Sequence, residues 1–159
     1  MRVYLVQHGE AHPEEVSPER DLTPRGRSDV ERIATLLANG GVRVAKVYHS
    51  GKTRARQTVE LFAGRLAPGI TSEALAGINP NDPVESLVDR LRGWTEDVLV
   101  VGHQPFMGKL VALLVAGRSE PPVVAYQQGS VACLERDAEG RWVLAWMVRP
   151  ELVARDLSA

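Results

Sequence analysis

Four times along this chain a short apolar, β-rich run gives way to a stretch whose apolar residues recur at helical spacing. That alternation constrains the fold more than any other feature. Strands joined through helices lie parallel in one sheet, because a parallel pair needs a long crossover. Arg2-Val-Tyr-Leu-Val6 is the first strand-like run, and a polar loop from Glu10 to Asp21 follows it. Thr23 with Pro24 behind it signals a helix start, and Val30, Ile33, Ala34 and Leu37 repeat until Gly40-Gly41 ends the pattern. Val42 to His49 contains the second strand, and Thr53 to Leu66 reads as a helix with Val59, Phe62, Ala63 and Leu66 on one face. Ile70 to Leu75 is the third run, followed by a short helix over Val84 to Leu91. Asp97-Val-Leu-Val-Val101 has the strongest pattern of a buried strand. After it Pro105 opens a helix carrying Met107, Leu110, Val111, Leu114 and Val115.

Past Pro121-Pro122 the period changes. Ser130 to Glu135 and Arg141 to Val148 are strand-like runs separated by Asp-Ala-Glu-Gly, the pattern of a hairpin. The expected fold is a single domain spanning 1–159. It is a three-layer α/β/α sandwich with a mainly parallel sheet and an antiparallel edge. Such sheets collect ligands outside the carboxyl ends of their strands.

Composition excludes several function classes. Lys and Arg total 19 against 20 Asp and Glu, a net charge of -1, so no global basic field is available for nucleic acid or an anionic membrane. No apolar stretch approaches the roughly 20 residues that span a bilayer, and the apolar run at the N-terminus is too short for a signal peptide. The single cysteine, Cys133, has no partner for an internal disulfide and fits a reducing cytoplasm. In its strand-like run it reads as buried filler.

Attention therefore turns to the strand ends. The first closes on Gln7-His8-Gly9-Glu10, and the second on His49-Ser50-Gly51 ahead of Lys52-Thr53-Arg54-Ala55-Arg56. The fourth closes on Gly102-His103-Gln104-Pro105. One histidine at a strand end ordinarily caps a backbone carbonyl. Two of them, His8 and His103, each beside a glycine and at one edge of the sheet, point to a site. Arg54 in a first helical turn adds a fork of donors where backbone N–H groups are also free. Imidazole, guanidinium and amide groups together suit a phosphoryl ligand. A metal site is the rival reading, since His8 and His12 stand four apart near Glu10 and Glu14. Gly9 and Pro13 argue against the helix that spacing needs, and no cysteine cluster or carboxylate triad accompanies them, so no metal is expected. His12 and His49 read as loop or strand-end residues, and Lys52 and Arg56 as solvated charge.

These residues resemble a known family. His8-Gly9-Glu10, then Ser50…Arg54-Ala-Arg-Gln57-Thr58, then Val101-Gly102-His103 are similar to the motifs of the histidine phosphatase superfamily, the phosphoglycerate mutase-like branch 1. They look most like its small phosphohistidine phosphatases of SixA type. Arg20-Asp-Leu22-Thr23 and Tyr126-Gln-Gln-Gly129-Ser130-Val131 extend the resemblance over nearly the whole chain. It implies that His8 is a nucleophile forming a transient phosphohistidine, with His103 on the phosphoryl oxygens. It further implies that Arg54 and Arg20 bind those oxygens, with Gln7 and Gly9 beside them, and that no cofactor is needed. The family signature begins Arg-His-Gly, whereas this chain has Gln7 in place of the arginine. Gln keeps a neutral donor but loses the charge and the fork, and one lost transition-state donor costs about 10²–10³ in rate. Where mutase-like relatives carry a general-acid glutamate, this chain has Gly77, which leaves Glu10, Glu73 and Asp82 as unranked candidates for the proton donor.

The implied function is a metal-independent cytoplasmic phosphatase acting on phosphohistidine of a protein, such as a phosphotransfer domain. The alternatives are a phosphatase of small phosphoesters and a non-catalytic binder of phosphate or phosphopeptide.

Overall fold

A computed structural model describes residues 1–153. The elements run β1 (Arg2–Gln7), α1 (Pro24–Asn39), β2 (Lys46–His49), α2 (Thr53–Leu66), β3 (Glu73–Ala74), α3 (Glu85–Gly93), β4 (Val98–Gly102) and α4 (Phe106–Ala116). They close with β5 (Val131–Arg136), β6 (Trp142–Val148) and a 3₁₀ turn at Pro150–Leu152. One six-stranded sheet has the order β3-β2-β4-β1-β5-β6. β1, β2, β3 and β4 are mutually parallel, while β5 runs antiparallel to β1 and β6 antiparallel to β5. The α/β architecture inferred from the alternation is the one observed.

Alternate residues of each strand feed two cores, as the period of two requires. Tyr4, Val6, Val47, Leu99, Val101 and Cys133 meet α1 and α2 through Val30, Ile33, Val59 and Phe62. Val3, Leu5, Val98, Val100, Ala132 and Leu134 meet α3 and α4 through Leu87, Leu91, Phe106 and Leu110. Helices therefore cover both faces of the sheet, and β4 is buried over its whole length.

The local signals act as expected at α1. The Thr23 Oγ1 accepts the Gly26 N–H at 2.9 Å, and Pro24 occupies the first turn, where no donor is missed. At the margins the structure differs from the sequence reading. The third strand shrinks from Ile70–Leu75 to two residues, Glu73 and Ala74, paired with Tyr48 and His49 at the sheet's edge. The fourth helix starts at Phe106, with Pro105 outside it. A bulge interrupts the β5–β6 pairing between Cys133 and Leu134, and the 3₁₀ turn at Pro150 was not anticipated. Residues 154–159 of the expected domain lie outside the described residues.

Candidate active site

Three neighbouring strands, β1, β4 and β2, deliver the site residues at their carboxyl ends. β1 pairs Gln7 with Gly102 of β4, so His8 and His103 emerge side by side from adjacent strands. Their ring centroids are 5.1 Å apart and the planes are tilted by 55°. Both rings are buried, His8 6% exposed and His103 1%.

The His8 ring has a defined role for each nitrogen. Its Nδ1–H donates to the Gly9 carbonyl at 2.7 Å, which leaves the lone pair on Nε2. Burial, with Arg54 and Arg20 adding to it, lowers its pKa to about 4. The ring is therefore neutral near pH 7, as a nitrogen nucleophile must be. His103 Nε2 lies 2.6 Å from the Ser50 hydroxyl, while its Nδ1 is buried without a partner among the described residues. Burial lowers its pKa to about 3, with the charges of His8, Arg54, Lys52 and Arg20 contributing less.

α2 carries Arg54 in its first turn. The guanidinium Nε is buried and has no partner among the described residues. Burial, and then the neighbouring Arg20, lower its pKa below the ordinary value. Arg20 comes from the β1–α1 loop. Its Nε–H donates to the His12 carbonyl at 3.1 Å, and its backbone takes a φ of +52°, rare for a residue with a side chain. Two cations thus stand near the paired imidazoles with an unused buried donor, an arrangement suited to an oxyanion. Gln7, at the end of β1, has a buried Oε1 without a partner among the described residues.

Gly9 follows His8 in the loop after β1. Its N–H donates to Thr58 Oγ1 at 3.0 Å and its carbonyl accepts from His8, so both polar groups are used inside the protein. A Cβ on Gly9 would stand 2.9 Å from Val30 Cγ2 and 3.0 Å from the Gly26 carbonyl oxygen. On Gly26 it would meet the Glu10 carbonyl at 2.1 Å. These glycines let α1 press against the loop after β1. Close approach of α1 requires a glycine at position 9.

Among the acid candidates, Glu10 Oε1 accepts from the Thr23 hydroxyl at 2.7 Å, and Asp82 Oδ2 accepts the Asn79 N–H at 2.9 Å. Glu73 is exposed on β3. His49 ends β2 and its Nδ1 accepts the Gly51 N–H at 3.0 Å, while His12 uses its backbone in the loop. Among the described residues, no group of three or more His, Cys, Asp or Glu is placed to hold a metal ion, and no helix is long and apolar enough to cross a membrane.

Three supporting residues escaped the sequence reading as members of the site. Ser50 bonds His103, and Thr58 bonds Gly9 while its hydroxyl donates to the Arg54 carbonyl at 2.7 Å. Gln57 Oε1 accepts the Leu22 N–H at 2.8 Å. The i, i+3 and i, i+4 spacing of Gln57 and Thr58 from Arg54 was the available signal.

Known proteins share this arrangement of elements. The phosphohistidine phosphatase SixA of Escherichia coli (strain K12) is 28% identical over 155 residues, 94% of each chain. The solved structure of the protein histidine phosphatase SixA complexed with tungstate superposes with a TM-score of 0.82 at 28% identity, covering 94% of this chain and 97% of that one. The human mitochondrial serine/threonine-protein phosphatase PGAM5 is 30% identical over 84 residues, 52% of this chain and 29% of PGAM5. The sequence profile of the histidine phosphatase superfamily (branch 1) matches residues 3–82, which span β1, β2, α2 and most of the residues described above. On that match and this fold, the chain belongs to the histidine phosphatase superfamily, branch 1.

Proposed function

We propose that this protein removes the phosphoryl group from phosphohistidine on a protein, through a covalent phosphohistidine on His8. The observation that carries the reading is the His8 ring: neutral, buried, and with Nδ1–H engaged by Gly9 so that Nε2 keeps its lone pair. Nε2 attacks phosphorus, and the bond from phosphorus to the substrate's imidazole nitrogen breaks. That nitrogen leaves with the electron pair and takes a proton from solvent. Water then attacks the phosphorus on His8, releasing inorganic phosphate and restoring the imidazole. Arg54, Arg20 and His103 bind the equatorial oxygens throughout, with Gln7 as a neutral neighbour. Charge neutralisation of this kind is the main catalytic contribution in phosphoryl transfer, and it proceeds here with no metal or cofactor. A cytoplasmic phosphotransfer domain is the substrate we favour, in keeping with SixA as a relative.

The neutral Gln7 favours one second reading, a phosphate or phosphopeptide binder without turnover. One experiment separates the two. Wild-type protein quenched during turnover of a labelled phosphohistidine substrate should carry acid-labile, base-stable label, and His8→Ala should carry none. Wild-type turnover in His8→Ala would remove His8 as nucleophile, and tight phosphate binding with no turnover in either protein would favour the binder. Turnover of p-nitrophenyl phosphate well above that of phosphohistidine would place the substrate among small phosphoesters.

A further inference from the structure

We infer that Gln57 is a positioning residue whose carboxamide fastens the Arg20 loop to α2 and holds Arg20 beside Arg54 before any anion arrives. The inference rests on the reading of Arg20 and Arg54 as phosphoryl ligands. Residues 10–23 form no helix and only the isolated bridge between Ala11 and Leu22. Most of the loop's hydrogen bonds are internal. The His12 N–H donates to Asp21 at 2.9 Å, the Arg20 N–H to Ser17 at 2.9 Å, and the Thr23 N–H to Glu10 at 3.0 Å. Such bonds hold the loop's shape but do not fix where it sits.

The loop's root is tied to α2 by the Gly9 N–H on Thr58 and packs on α1 through Gly26. Its far end, next to Arg20, is tied to α2 at Leu22. The Leu22 side chain is buried, and the backbone N–H donates to Gln57 Oε1 at 2.8 Å across 35 residues of sequence. Among the described residues this is the one hydrogen bond that joins α2 to residues 10–23. Gln57 stands three residues after Arg54, on the same side of the helix. The helix that presents one guanidinium therefore also grips the loop that presents the other.

There is something for the grip to resist. Arg20 lowers the pKa of Arg54, so the two cations repel while the pocket is empty. Arg20 is also the one non-glycine residue at positive φ among the described residues, a conformation kept only where the surroundings impose it. A freed loop would relieve both by moving off. Gln57 makes folding bear the cost of gathering the charges, so that phosphoryl binding does not.

Gln57→Met keeps the length of the side chain and removes the acceptor. Tungstate binding, titrated directly, should weaken about tenfold, the scale of one lost hydrogen bond. KM for a phosphoramidate should rise by a similar factor, with kcat changed far less. In an Arg20→Ala background the same substitution should cost less than about twofold, because its effect runs through Arg20. An undiminished tenfold loss in that background would overturn the clamp while leaving Arg20 a ligand. Wild-type tungstate affinity in Gln57→Met would do the same. Wild-type affinity in Arg20→Ala would instead remove Arg20 from the site, and the inference with it. Amide exchange on the wild-type protein needs no variant. Saturating tungstate should add little protection at Leu22 N–H, whose bond already exists, and a large gain there would show that the ligand gathers the loop.

Discussion

His8 and His103 face each other at 5.1 Å between ring centroids, and neither ring carries a proton's charge at neutral pH. Burial is the first cause for both, and for His103 the charge of His8 is the second. The pocket is therefore built to hold two neutral imidazoles beside two permanent guanidinium cations. On the proposed reading His8 stays available as a nucleophile, and an incoming phosphoryl group still meets positive charge.

The pH dependence follows with a definite sign. An unfolded histidine takes up its proton near pH 6.5, whereas folded His8 resists until about 4 and His103 until about 3. Between those values the unfolded chain binds more protons, so the stability contributed by these two histidines falls as pH drops below about 6.5 and is level above about 7.5. Urea unfolding across that range should show the loss, and His8→Ala should reduce it. The acid limb of kcat/KM should fall near pH 4 to 5 and not near 6.5, since it reports the free enzyme. A limb centred at 6.5 would mean that the catalytic imidazole is solvated.

Restoring charge at position 7 should help catalysis. Gln7 ends a strand that runs to the binding edge, and its buried oxygen has no partner among the described residues. Gln7→Arg should raise kcat/KM on a phosphohistidine substrate about tenfold, or ~1.4 kcal/mol, because charge-assisted bonds gain most where negative charge grows. A lower rate at unchanged stability would show that the glutamine suits this protein's own substrate.

Ser50 should matter to the second histidine alone. Its hydroxyl is 2.6 Å from His103 Nε2. Ser50→Ala should reduce kcat/KM about tenfold, as the loss of one buried hydrogen bond would. The ring resonances of His103 should move while those of His8 stay in place. Equal shifts in both rings would point to a general disturbance of the pocket.

A control for stability lies on the far side of the sheet. Arg136 of β5 donates to the carbonyls of Leu91 at 2.9 Å and Trp94 at 2.7 Å, and its guanidinium lies 5.6 Å from the Trp142 ring centroid. It closes the carboxyl end of α3, where carbonyls lack helical partners. Arg136→Met should lower unfolding free energy by about 2 kcal/mol, with tungstate affinity unchanged. A loss of tungstate affinity would tie α3 to the site.

What the sequence disclosed and what it hid divide along a physical line. Strands and helices showed because burial leaves periods of two and 3.6 in the chain. His8, His103 and Arg54 showed because topology alone brings strand ends and helix starts to one edge. The contacts of Ser50, Thr58 and Gln57 did not, since each joins residues 35 to 53 positions apart through a single polar atom. Such pairs leave no periodic trace. The packing of α1 on Gly9 did not show either, because a glycine records that something comes close without recording what. β3 was overestimated because an edge strand with one neighbour can pair over two residues while its flanks still look β-rich.

The order of the sheet has a consequence for how this architecture tolerates change. β1 and β4 have neighbours on both sides, β2 joins them, and the edges fall to β3 and β6. Strands at the centre of a sheet open only with the whole domain, whereas edges fray at much lower cost. The paired imidazoles of His8 and His103 therefore sit at the ends of the segments that are last to be exposed. New sequence can enter around β3 or beyond β6 without loosening them, so such a protein can grow around its margins and acquire new partners while the same two rings stay in register.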